Sequence, residues 1–269
     1  TAFSESAART EMAAGKKRAA RMVFRGTPDY PLSFDDLTDA PPFFWALGDL
    51  ELLKRPKIAL VGARNASSLG LRMTKLMAAD LGAKGFVVVS GLARGIDTAA
   101  HTASLATGTV AVQAGGLDFK YPAENAELWK DICRSGLLLS EQPIGLPPKA
   151  RHFPIRNRLI SGLAQQVVVI EAAGKSGSLI TAKTALDQGR DVLAVPGHPF
   201  DARASGCNLL IRDGATLVRS AQDIIDAIAP VSMHTIKPPQ RQVPDQTVPN
   251  PRTLQQTAKL HQLILDRLG

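Results

Sequence analysis

Little in this chain can cross-link, chelate or span a bilayer. Cysteine occurs twice in 269 residues, at Cys133 and Cys207, far apart and in no C-x-x-C pair. A disulfide framework is therefore not expected, which fits a reducing cytoplasm. The five histidines (101, 152, 198, 234 and 261) form no H-x-x-x-H or H-E-x-x-H pattern, so a zinc site has no support. No apolar run reaches the roughly 18 residues of a membrane-spanning helix. The opening stretch TAFSESAARTEMAAGKKRAARMVF lacks the basic start, apolar core and cleavage site of a secretory signal. No metal, cofactor or membrane partner is expected. Acidic charge is also short, with 24 Asp and Glu against 32 Lys and Arg, a net charge of +8 and a pI near 9.7. That balance favours an anionic partner and says nothing about fold.

What is present is ordinary soluble composition, 45% hydrophobic and 21% charged, arranged as an alternation. Short apolar runs fit buried strands: IALV (58–61), FVVV (86–89), TVAV (109–112), LLL (137–139), VVVI (167–170), VLAV (192–195) and TLV (216–218). Helix-like stretches such as LRMTKLMAADLGAKG and SLITAKTALDQG separate them. Continuous β-branched runs between amphipathic helices predict an α/β domain over residues 57–230, with a mostly parallel, doubly wound sheet covered on both faces. Residues 1–56 read as an N-terminal extension, Ala-rich and helical first, then irregular and rich in Pro and aromatics from Pro28 to Trp45. Residues 231–252 hold five prolines with little to bury and read as a linker. Residues 253–269 read as one amphipathic helix that opens a further module.

The surplus of positive charge is local. Between Lys57 and Pro230 there are 19 Lys and Arg against 14 Asp and Glu, and Lys149, Arg151, Arg156 and Arg158 supply four of that excess of five. With Phe153 among them and no acid between, cations for phosphates and a ring for unpaired bases lie together.

Ligands of an open parallel sheet bind beyond the carboxyl ends of its strands, so the loops there are the candidate sites. Gly62-Ala63-Arg64 and the serines behind it predict a helix cap, with exposed amides and Arg64 holding a phosphate. Ser90-Gly91-Leu92-Ala93-Arg94-Gly95-Ile96-Asp97 lets backbone approach a ligand closely at Gly91 and Gly95. Asp97 and His101, four residues apart, admit an acid/base reading, but a cap and a packed histidine are the stronger expectation. Glu171-Ala-Ala-Gly-Lys175-Ser-Gly-Ser lacks the first glycine of a P-loop, whose place Val169 holds, yet still makes an anion nest around Lys175. Glu141 and Glu171 both follow apolar runs, and a hydrolytic carboxylate pair is the lesser reading.

Taken in order, IALVGARNASSLG, SGLARGIDTAAH, GGLDFKYPAEN, SEQPIGLPP, HFPIRNRLISGL, EAAGKSGSLITAKTALDQGR and AVPG with GCNLLIRDGA resemble the DNA-processing protein A family, over roughly residues 28–230. The resemblance implies a Rossmann-like, non-enzymatic, single-stranded DNA-binding protein. Such proteins protect incoming strands in natural transformation, help load the RecA recombinase and form homodimers. It implies DNA contacts from Arg64, from Gly91, Arg94 and Gly95 of the glycine-rich loop, and from Phe153, Arg156, Asn157 and Arg158. Lys149 and Arg151 lie where the family carries basic residues. The first loop departs slightly, reading Gly-Ala-Arg where Gly-Ser-Arg or Gly-Thr-Arg is common. The family's N-terminal helical module has room here only for a remnant, and its C-terminal winged helix only for a first helix. A Rossmann-like phosphoribohydrolase is the alternative, but the Pro-Gly-Gly-x-Gly-Thr-x-x-Glu segment of that class is missing at Glu171.

Overall fold

The apolar runs pair as their composition predicts. A computed structural model describes residues 4–228 and 254–268, and the linker expected at 231–252 lies outside them. The chain divides into two units, Thr1–Pro230 and Val231–Gly269. In the first, α1 (Glu5–Lys17) precedes β1 (Arg21–Phe24) and β2 (Phe43–Gly48). There follow β3 (Lys57–Val61), α2 (Ser68–Ala83), β4 (Val87–Ser90), α3 (Ile96–Ser104), β5 (Thr109–Val112), α4 (Ala126–Ser135) and β6 (Leu137–Ser140). The second half runs α5 (His152–Leu163), β7 (Gln166–Val169), α6 (Gly177–Asp187), β8 (Asp191–Ala194), α7 (Ser205–Arg212), β9 (Thr216–Leu217) and α8 (Ala221–Ile228).

The nine strands form one sheet in the order β1-β2-β6-β5-β4-β3-β7-β8-β9. From β3 the chain steps outward through β4, β5 and β6, then returns past β3 to build β7, β8 and β9 on the other side. Crossovers between parallel strands are right-handed, so reversing direction moves the helices to the opposite face. Packing follows this rule and the two-residue period of the strands. Ala59, Val61, Val89, Val112 and Val167 face Leu159, Leu163, Ala182 and Cys207 of α5, α6 and α7. Ile58, Leu60, Val88 and Val168 face Met77, Leu81, Ile96 and Ile224 of α2, α3 and α8. Ala111 and Leu138 pack with Ile132 of α4.

The stretch read as irregular contributes more than expected. β1 pairs antiparallel with β2, and β2 antiparallel with β6, opposing Leu47 to Leu138. Phe34 and Phe44 are fully buried against the same core. In the second unit, residues expected to be helical form α9 (Leu254–Leu268). No helix among the described residues is long and apolar enough to cross a membrane.

Candidate nucleic-acid interface

The winding reverses at β3, and the loops that leave β3, β4 and β7 there bound a cleft of about 760 Å³. A second, of about 430 Å³, adjoins it over the loops of β4 and β5. Arg64, Ala93, Tyr121, Pro148, Phe153 and Arg156 line both, so the two are one continuous groove.

Phe153 is the centre of that shared wall. It lies in the first turn of α5, where Pro154 costs no hydrogen bond, and its ring is half-buried. The Arg64 guanidinium sits 5.2 Å from the ring centroid and that of Arg156 5.8 Å. The Tyr121 ring, half exposed, lies 5.6 Å away, tilted at 57°. Cation–π and tilted aromatic contacts of this kind fix the ring orientation.

The two arginines on this ring differ in kind. Arg156 is only 6% exposed. Its Nη1 donates to the Gly91 carbonyl at 2.7 Å and to the Val112 carbonyl, and its Nε donates to Asn157 Oδ1 at 3.2 Å. A Cβ at Gly91 would stand 2.7 Å from the guanidinium, so a larger residue there would displace Arg156 from these carbonyls. Burial pulls the Arg156 pKa down to about 10, with the charge of Asp97 opposing the fall. Arg156 therefore stays charged at neutral pH and ties α5 to the ends of β4 and β5. Arg64 is exposed and its side chain enters no ion pair among the described residues. It is free to meet an anion.

The glycine-rich loop is held from beneath. Asp97 accepts from the Gly91 and Ala93 amides at 3.1 and 3.2 Å. Burial raises its pKa, and Arg156 is the first of the influences that oppose this. His101 Nε2 accepts from the Leu92 amide at 3.3 Å, while Nδ1 donates to Thr109 Oγ1 at 2.7 Å. That hydroxyl in turn donates to the Val88 carbonyl at 3.0 Å. With a pKa pressed to about 3 by burial, His101 is neutral. Asp97 thus ties down the loop instead of capping α3, whose N-cap is Gly95 with no side-chain cap bond. His101 is packed, and the acid/base reading falls. Gly95 has φ +77°, and a Cβ there would lie 2.3 Å from the Ala63 carbonyl.

Helix ends decide where phosphates can go. The amino end of α2, expected to hold one, is already occupied. Ser67 caps it by accepting from the Gly70 amide at 2.9 Å. The Ser67 amide and hydroxyl both donate to the Glu171 carboxylate, the former at 2.8 Å. The amino end of α6 is different. Its N-cap Ser176 makes no side-chain cap bond, and Ser176, Gly177 and Ser178 line the cleft. Open amides at a helix start attract anions. Glu141 accepts from Arg158, so the two glutamates are engaged on different partners.

The remaining sequence candidates scatter. Asn157 is buried and lines the larger cleft. Lys149 and Arg151 are exposed on either side of Ala150, which lines it. Arg94 lines the smaller cleft, 3.7 Å from Glu124, in a pair that is mostly solvated. Lys175 is exposed in the loop before α6 but is not part of the cleft wall. Arg158 points elsewhere. It pairs with Glu141 at 2.6 Å and Asp39 at 3.2 Å, with its side chain 13% exposed. Among the cleft residues outside the sequence candidates are Tyr121 and Arg203. The GGLDFKYP segment carried the first, and a basic residue in the loop after β8 was the available signal for the second.

Fold and cleft together define a doubly wound, Rossmann-like domain whose ligand groove is cationic and aromatic. The chain belongs to the DNA recombination-mediator protein A family, whose model matches residues 21–229. It is 46% identical over 198 residues to the DNA processing protein DprA of Streptococcus pneumoniae, covering 73% of this chain and 70% of that protein. With the Bacillus subtilis DprA it shares 42% over 220 residues, covering 81% and 74%. The X-ray structure of the S. pneumoniae protein superposes with a TM-score of 0.75 at 42% identity, covering 80% of this chain and 77% of that one. DNA processing protein A of Helicobacter pylori, a structure described for its single-stranded DNA binding mode, gives 0.71 at 30% identity, covering 77% and 94%.

Proposed function

We propose that this chain binds single-stranded DNA along the groove, without catalysing a reaction, and hands it to a RecA-type recombinase during the uptake and recombination of DNA in the cytoplasm. One observation carries the reading. A phenylalanine ring, oriented by a buried arginine, faces a cleft whose free charges are cationic. Phosphates would meet Arg64, the α6 amides and the exposed Lys149 and Arg151 rim, and bases would stack on Phe153. Such a groove tracks a backbone and tolerates sequence. The H. pylori relative's single-stranded DNA binding mode supports the choice of ligand, and the family's recombination-mediator description supports the handover. A nucleotide hydrolase is less favoured, because Glu171 is spent on Ser67 and Glu141 on Arg158.

Two further parts belong to the proposal. The chain pairs with a second copy through the β9 edge, where Leu209 is 37% and Leu217 44% exposed. The helix α9 opens a winged-helix module. The deciding experiment is fluorescence anisotropy with single- and double-stranded oligonucleotides of equal length, across a salt series. Tighter binding of the single strand, falling steeply with salt, is expected. Equal affinity for both forms would sink the groove reading.

A further inference from the structure

The ring of Phe200 is 95% exposed, more than any other large hydrophobic side chain among the described residues. Among the described residues its only ring contact is His198, 5.5 Å away and tilted at 47°. A phenylalanine there adds nothing to the core, and water is a poor neighbour for it.

The loop that carries it is nevertheless built. The Gly197 amide donates to Asn208 Oδ1 at 3.2 Å, and Asn208 Nδ2 donates back to the Gly197 carbonyl at 3.0 Å. The Asp201 amide donates to the His198 carbonyl at 2.9 Å. The Arg203 amide donates to Asp201 Oδ1 at 2.9 Å, and the Ala172 amide donates to the Arg203 carbonyl at 2.7 Å. Both ends of the loop are thus pinned, one to α7 and one to the loop after β7. The ring is presented rather than left over from a collapsed turn.

Its place in the fold says what it meets. The loop leaves the carboxyl end of β8, on the edge of the sheet that carries the groove. β8 lies two strands from β3, which is about 10 Å at the usual strand spacing. Arg203, three residues beyond Phe200, already lines the larger cleft. Lys175 stands exposed in the neighbouring loop with no ion pair among those of the described residues. Arg203 is paired with Asp201 in the same loop, which leaves Lys175 as the unpaired charge nearby among the described residues. An exposed ring beside a groove for a polyanion suits a nucleobase better than an apolar protein surface.

We propose that Phe200 is a second stacking subsite, taking an unpaired nucleobase of a strand whose other bases occupy the Phe153 cleft. This rests on the single-stranded DNA reading above. It makes the groove asymmetric, with one half-buried ring and one exposed ring.

The test uses the whole chain, oligo-dT of graded length, and the variants Phe200→Ala, Phe200→Trp and Phe153→Ala. Phe200→Ala should leave the melting temperature and the salt slope unchanged, since the ring supports no core and touches no phosphate. It should weaken long oligonucleotides by about 5- to 150-fold, the range of one lost base stack, and spare those too short to span both rings. Phe200→Trp should restore binding. If Phe153→Ala weakens binding but Phe200→Ala matches the parent at every length, the subsite is refuted while the groove stands. If neither variant weakens binding, the groove reading itself fails. If Phe200→Ala instead lowers the melting temperature or abolishes self-association in sedimentation, the ring serves packing or a second copy, and the subsite is overturned.

Discussion

Arg64 and Arg156 bracket the same phenylalanine, yet substituting them should have opposite consequences. Arg156→Ala strips the buried Gly91 and Val112 carbonyls of their donor and leaves Asp97 without the cation that offsets it. Two buried acceptors left unpaired cost about 1–3 kcal/mol each, and Asp97 loses the nearby charge that opposes the effect of its burial. These overlap, so a loss of about 3–5 kcal/mol is expected from a domain whose whole stability is of order 5–15 kcal/mol. At roughly 2–4 °C per kcal/mol for a domain of this size, melting should fall by about 6–20 °C. Arg64 is exposed over the face of Phe153 and enters no ion pair among the described residues, so Arg64→Ala should leave melting within a degree or two. It should instead weaken single-stranded DNA and flatten the log–log salt dependence by about 0.7, the share of one phosphate. Calorimetry with anisotropy titrations at several salt concentrations reads both quantities. An Arg156→Ala protein that melts like the parent would refute the structural role. An Arg64→Ala protein with an unchanged salt slope would refute the contact.

Other expectations follow from the same contacts. Arg158→Ala should lower melting, because Glu141 and Asp39 lose their partner, and should leave DNA affinity as it was; a changed salt slope would place Arg158 on the strand after all. His101 has a folded pKa lowered from 6.5 to about 3, so the unfolded chain takes the proton first. Its contribution is whole above pH 6.5 and lost as pH falls towards 3, on the order of 5 kcal/mol at the limit. His101→Gln should therefore show a shallower loss of stability across that window, and an unchanged acid slope in denaturant titrations would contradict it. Lys57 is lowered from 10.5 to about 8 by burial, so stability should rise as pH climbs from about 8 to 10.5. Lys57→Met should remove that rise, and a persisting rise would show that another group carries it.

Much of this was legible because the two-residue and 3.6-residue periods are strong signals. The runs at 58–61, 109–112 and 192–195 are short, β-branched and bounded by glycine or polar loops, and each lies within a residue of the strand it forms. FFWALG was harder. Proline precedes it, and its antiparallel partners, RMVF and LLLS, lie on either side of it in sequence and far from the second. Pairing at that separation leaves no local trace. At the site, residue types were readable and their allegiance was not. Phe153, Arg156, Asn157 and Arg158 stand in one motif, and a loop would let all four reach a strand. A helix does not. On α5, Arg156 and Asn157 lie three and four residues beyond Phe153 and share its face, while Arg158 lies five beyond it and points away. The cleft wall contains the first three and omits the fourth. Recognising helix geometry in that motif separates the residue that presents the ring, the residue that braces it and the residue that ties the helix to Glu141. Burial then completes the division, since three of the five Arg156 N–H donors are spent on the Gly91 and Val112 carbonyls and on Asn157, which commits most of that guanidinium to the fold. The exposed Arg64, in no ion pair among those of the described residues, is the cation that stands over the ring and open to a strand.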